Sequence, residues 1–205
     1  MAIRIRTGFH TAGRPRSMAE LASVVAAMAW KLAVDSIKRM RTANYEIDIG
    51  QTYYDFVCEY MVFLAHSADR IAYRDLTDDQ RTEFTTALAI RIAEIVEENH
   101  RMLLRATAVG ECKRHVLDLF NRRGEDYADC GFDDSGPDFG FRRVFAAGMQ
   151  EILPEHDRLW AIDQVMDIES PEAIKALQKT LGGLFSPATE KVGAGDTAPT
   201  GDRHG

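Results

Sequence analysis

Four segments of this chain open with helix-capping residues, and apolar residues spaced every three or four positions follow each one. Ser17 with Glu20 and Thr77 with Gln80 are capping boxes, in which each side chain satisfies a backbone N–H at the other end of the first turn. Thr52 with Asp55 follows Gly50, and Ser170-Pro171-Glu172 sets a capping serine before a proline that suits a first turn. A helical period behind four independent starts restricts the chain to an all-α fold.

The same signals give boundaries. A first helix runs from Ser17 to about Asn44, a second from about Gln51 to Arg74, a third from Thr77 to about Thr107, and a fourth from about Glu111 to Ala128. Shorter helices are expected over Phe141–Leu153, from Pro154 to about Ile168, and from Ser170 to the Gly182-Gly183 pair. The predicted architecture is a helical bundle of about four long helices plus two or three shorter C-terminal helices. It forms a single domain over residues 18–186, with a basic arm at 1–17 and a Gly-, Ala-, Thr- and Pro-rich tail at 187–205 that is expected to be disordered.

The first helix has apolar stripes on two faces, Leu21, Val25, Met28 and Leu32 on one and Val24, Ala27, Val34 and Ile37 on the other. That pattern predicts a central position or a dimer interface. Helix two offers Phe56, Tyr60, Phe63, Leu64 and Ile71 to the core, and helix three Phe84, Leu88, Ile92, Ile95 and Leu103. Asn99 lies within that last stripe and needs a hydrogen-bond partner.

One segment interrupts the helices. Between Arg123 and Arg142 the chain has six acids and no basic residue, and Phe132 and Phe139 stand among Gly-Pro turns. Acids and aromatics held in a shaped loop, here residues 129–140, make a contact surface. The expected partner-binding residues there are Asp129, Phe132, Asp133, Asp134, Asp138 and Phe139. Arg4, Arg6, Arg14 and Arg16 of the arm are the complementary set. The arm is +4 and the remaining residues −11, giving the net −7. Arm against loop, between two copies, would supply Arg–carboxylate register and buried aromatic area.

Net −7 argues against broad nucleic-acid binding, since a polyanion is repelled over most of such a surface. Cys58, Cys112 and Cys130 are odd in number and widely spaced, which fits a reduced, cytoplasmic setting. The longest uncharged apolar stretch, Leu21 to Trp30, is far short of the roughly 20 residues that cross a bilayer.

Glu97-Glu98-Asn99-His100 contains Glu-x-x-His, a spacing that offers one carboxylate and one imidazole to a single ion, and Glu59 and His66 could join them. With these four as ligands for iron, manganese or zinc, the chain would be a metal-binding bundle or a metal-dependent enzyme. The second Glu-x-x-His copy of di-iron bundles is missing, and Glu97 stands four before Arg101, the spacing of a surface ion pair. Cys112-x-x-His115 is half a zinc site without its other half. No nucleophile turn or phosphate-binding loop is present. The sequence therefore reads as a non-enzymatic interaction or assembly protein, with a protein partner or a second copy and without a required cofactor.

Overall fold

The structure is a computed structural model and describes residues 16–103 and 110–185. Residues 1–15, which hold Arg4, Arg6 and Arg14, lie outside that range, as does the tail from residue 186. The fold is all-α. Helices α1 (Met18–Thr42), α2 (Gln51–Asp75), α3 (Asp78–Leu103) and α4 (Glu111–Tyr127) are the long ones. They are followed by α5 (Phe139–Ile152), α6 (Arg158–Gln164) and α7 (Ser170–Phe185).

Both capping boxes form. Ser17 N–H donates to Glu20 and Glu20 N–H to Ser17 Oγ at 2.8 and 3.2 Å. Thr77 and Gln80 repeat the exchange at 3.1 and 3.4 Å. Helix α2 begins on Gly50 at a positive φ of 154°, without a side-chain cap.

The central rod is α2, where the two-striped sequence of α1 had pointed to α1. Helix α2 packs against α1, α3, α4, α5 and α7, and every residue from Phe56 to Ala65 is buried. Helix α1 instead buries a run of small residues, Ala22, Ala26, Ala29 and Ala33, and leaves Val24, Ala27 and Val34 half-exposed. Small side chains allow close approach of helix axes, so its deepest contacts come from alanines as well as from the larger groups. The predicted stripes of α2 and α3 are buried as far as described, and Asn99 Nδ2 donates to the Ile95 carbonyl at 2.8 Å. Leu103 lies outside the described side chains.

The C-terminal third departs from its expected boundaries. Asp138 caps α5 by accepting from Phe141 N–H at 2.7 Å, so that helix starts two residues earlier than predicted. Pro154 opens a turn closed by Asp157 N–H to its carbonyl at 2.9 Å, and α6 begins only at Arg158. No break follows at Ser170. Helix α6 runs through a π-helical turn, Val165–Glu169, directly into α7. Pro171 has no N–H, and its ring presses on the carbonyl four residues back; the wider turn just before it absorbs that clash. Gly182 and Gly183 lie inside α7, held because Phe185 beyond them packs edge-on against Phe84 at 5.6 Å.

Short connections make the bundle run up and down, so its two ends differ. At one end Tyr45 Oη donates to the Trp160 carbonyl at 2.9 Å, and the Tyr54 ring lies 4.6 Å from His100. Helix α1 is 25 residues long, about 37 Å, which puts its start and the root of the arm at the opposite end. That opposite end also carries the α2–α3 junction and the acidic loop.

Candidate functional site

The acidic loop folds as a small hairpin on the surface. Strands Phe132–Asp133 and Gly136–Pro137 pair antiparallel around Asp134-Ser135, and Gly136 at φ 112° takes a backbone shape that L side chains rarely adopt. Asp133 Oδ1 accepts from Ser135 N–H at 2.8 Å and from Ser135 Oγ at 2.6 Å, an Asx turn that holds its pKa below the usual carboxylate range. Asp138 closes the base: Gly131 N–H donates to Oδ2 at 2.8 Å while Oδ1 caps α5.

The predicted contact residues therefore divide. Asp138 is occupied by its own loop. Phe132 is half-buried, edge-on to Phe141 at 5.6 Å, and begins a chain of ring contacts into the core: Phe141 stacks on Tyr127 at 4.1 Å, and Phe63 on Phe145 at 4.0 Å. Phe139 is 66% exposed, and Asp129, Asp133 and Asp134 are exposed. Of the arm, Arg16 is described and is exposed.

Three arginines that sequence reading passed over gather beside the loop, and one of them, on α2, pairs with a loop acid. Arg74 pairs with Asp134, whose side chain stays 91% exposed. Arg70 Nη2 donates to the Tyr127 carbonyl at 2.8 Å, tying α2 to the end of α4. Arg81, at the start of α3, makes a two-pronged contact with Asp69 at 2.8 and 2.5 Å and lies over the Tyr73 ring at 5.0 Å. With Phe132 and Asp133 these four residues line a cleft of about 220 Å³ between the hairpin and the α2–α3 junction. The sequence did hold a sign of it. Arg70, Tyr73 and Arg74 sit at the i, i+3, i+4 spacing that puts them on one face of the last turns of α2.

The four residues proposed as metal ligands each have a different neighbour. Glu59 is buried and takes both prongs of Arg123, Nε to Oε1 at 2.7 Å and Nη2 to Oε2 at 3.1 Å. Burial works against the charged guanidinium, but the hydrogen bonds and charge of Glu59 hold Arg123 protonated above its usual range. His66 stacks on Phe120 at 4.3 Å, and its Nε2–H donates to the Phe120 carbonyl at 2.9 Å. Burial lowers its pKa, against the pull of that carbonyl.

Glu97, expected on a solvated face, is instead 9% exposed and accepts from Gly110 N–H at 2.8 Å. It thereby joins the end of α3 to the start of α4. His100 packs on Tyr54 at the same end. Among the described residues no three His, Cys, Asp or Glu side chains stand together as a metal group. Cys112 is buried and His115 is exposed beside it. All three cysteines are free thiols, and no described helix is long and apolar enough to cross a membrane.

No protein-family model, curated protein or solved structure matches this chain.

Proposed function

We propose that this chain is a non-enzymatic interaction protein that docks, on a protein partner or on a second copy of itself, through the end of the bundle that carries the hairpin. The supporting observation is what gathers there. Tyr73, which lines the cleft with three arginines, is 63% exposed, Phe139 just after the hairpin is 66% exposed, and Asp133 and Asp134 of the hairpin are exposed. Exposed aromatics with arginine are the composition that dominates binding energy at protein interfaces. The hairpin is rigid, because Asp138 closes its base and Phe132 roots it in the core, so little ordering cost accompanies binding.

The arm springs from this same end, which favours the self-associating form: Arg4, Arg6, Arg14 and Arg16 of one copy lying along Asp129, Asp133 and Asp134 of another in a symmetric homodimer. The side chain of Asp134, although paired with Arg74, keeps enough exposure to accept a second guanidinium. A cytoplasmic, reducing setting belongs to this proposal and accords with three free thiols. Light scattering on the full chain and on a chain lacking residues 1–16, in low and high salt, tests the arm. Loss of the dimer on deletion, and its weakening by salt, are expected; an unchanged mass in all four conditions would refute self-association through the arm.

A further inference from the structure

The arginine cleft points to a ligand that the arm does not supply. We propose that the cleft lined by Arg70, Tyr73, Arg74, Arg81 and Phe132 binds a phosphate ester carried on an aromatic ring. This goes beyond docking by the arm and stands or falls separately from it.

Three guanidiniums line one cleft on a chain whose net charge is −7. Each is steadied from behind. Asp69 grips Arg81 with both oxygens and is itself fixed by Thr85 Oγ1 at 2.7 Å. The Tyr127 carbonyl holds Arg70, and Asp134 holds Arg74. Among the described residues those bonds leave Nε and Nη1 of Arg70, Nε and Nη2 of Arg74 and Nη1 of Arg81 without a partner. Arginines held this way lose little freedom when an anion arrives, and their planar forks match phosphate oxygens. A phosphate offers three oxygens, where a carboxylate offers two, to three guanidiniums of which Arg74 and Arg81 already carry carboxylate partners, Asp134 and Asp69.

The walls specify what carries the phosphate. Tyr73 and Phe132 line the cleft, with Arg81 over one face of the Tyr73 ring. A flat ring is the group such walls bury best. At about 220 Å³ the space is below the roughly 300–1,000 Å³ of small-molecule sites, so it takes one side-chain-sized group and not a large cofactor. Asp133 in the lining, and Asp69 and Asp134 on Arg81 and Arg74, all oppose an incoming anion.

Titration of the full chain with phenyl phosphate, followed by calorimetry or by NMR of the arginine side chains, tests the site. Saturable one-to-one binding is expected, at least about fivefold tighter than inorganic phosphate, benzoate or adenosine monophosphate. Arg70→Ala and Arg74→Ala should each weaken it about tenfold or more. Tyr73→Ala should abolish the preference over inorganic phosphate, and Asp133→Asn should tighten binding severalfold. Should Arg70→Ala unfold the chain, Arg74→Lys serves in its place: it keeps the charge, removes the fork, and should still weaken binding. No saturation by ~10 mM phenyl phosphate would overturn the proposal. So would affinity indifferent to Arg74, or adenosine monophosphate binding as tightly as phenyl phosphate.

Discussion

Arginine meets carboxylate in the middle of α2 and again at its end, and the two contacts behave differently. Glu59–Arg123 is sealed between α2, α4 and α5, with side-chain exposures of 3% and 15%. Arg74–Asp134 lies on the surface, at 40% and 91%. In the interior the charges are poorly solvated, so each depends on the other, and the pair fixes how α4 sits on α2. At the surface, water competes for both partners; the contact aims a guanidinium and a hairpin without doing much to hold the fold. The same two functional groups thus give register in one place and a binding face in the other.

The largest effect expected from breaking this contrast is at the buried pair. Arg123→Ala removes the partner that counters the burial-raised pKa of Glu59, leaves that carboxyl unpaired in the core, and should cost about 3 kcal/mol in chemical denaturation. Replacing both partners by apolar residues, Glu59→Met with Arg123→Leu, should recover most of that loss; failure to recover would show that the pair contributes more than mutual neutralisation. Gly148 belongs to this site too. A Cβ there would come within 2.6 Å of Glu59 Oε1 and 2.7 Å of Arg123 Nη2, so Gly148→Ala should destabilise by about 1–3 kcal/mol.

An intermediate effect is expected at His66, in the same layer. Its folded-state pKa lies below its unfolded value because burial disfavours the imidazolium. Its contribution is therefore complete above the unfolded pKa of about 6.5 and is lost as pH falls through the lowered folded value. Urea midpoints near pH 7.5 and about pH 5 should fall further apart in the wild type than in His66→Phe. Equal differences in the two proteins would remove His66 as the titrating group.

The smallest effect belongs to the surface pair. Asp134→Asn should change stability by less than about 1 kcal/mol, measured by the same denaturation. A larger loss would make the hairpin a structural strut and weaken its reading as a docking face.

Much of this fold could be read from the sequence because its cues are local. Ser17 with Glu20, and Thr77 with Gln80, bond within one turn, and the apolar period of α2 and α3 needs nothing distant to be recognised. Local cues misled where a distant group overruled them. The Gly182-Gly183 pair looks like a helix end, but Phe185 reaches Phe84, a hundred residues away in the chain, and the helix continues. Pro171 reads as a start, and α7 does begin at Ser170, but without the expected break, directly after a π turn. The candidate site was half legible: Asp133 and Asp134 lie exposed in the loop and Phe139 exposed at the start of α5, while Arg70, Arg74 and Arg81 were hidden inside ordinary helical segments.

What the sequence by itself determined was the helices, the surface loop with its acids, and the separation of a basic arm from an acidic body. Each of these follows from residues a few positions apart, whose backbone bonding and charge are set before any packing occurs. Which helix became the centre, which carboxylates went inside, and which arginines came to face the hairpin were decided only by tertiary structure. A buried charge can be kept only where a partner from another helix meets it. For Glu59 that partner stands 64 residues away, beyond the reach of any spacing rule.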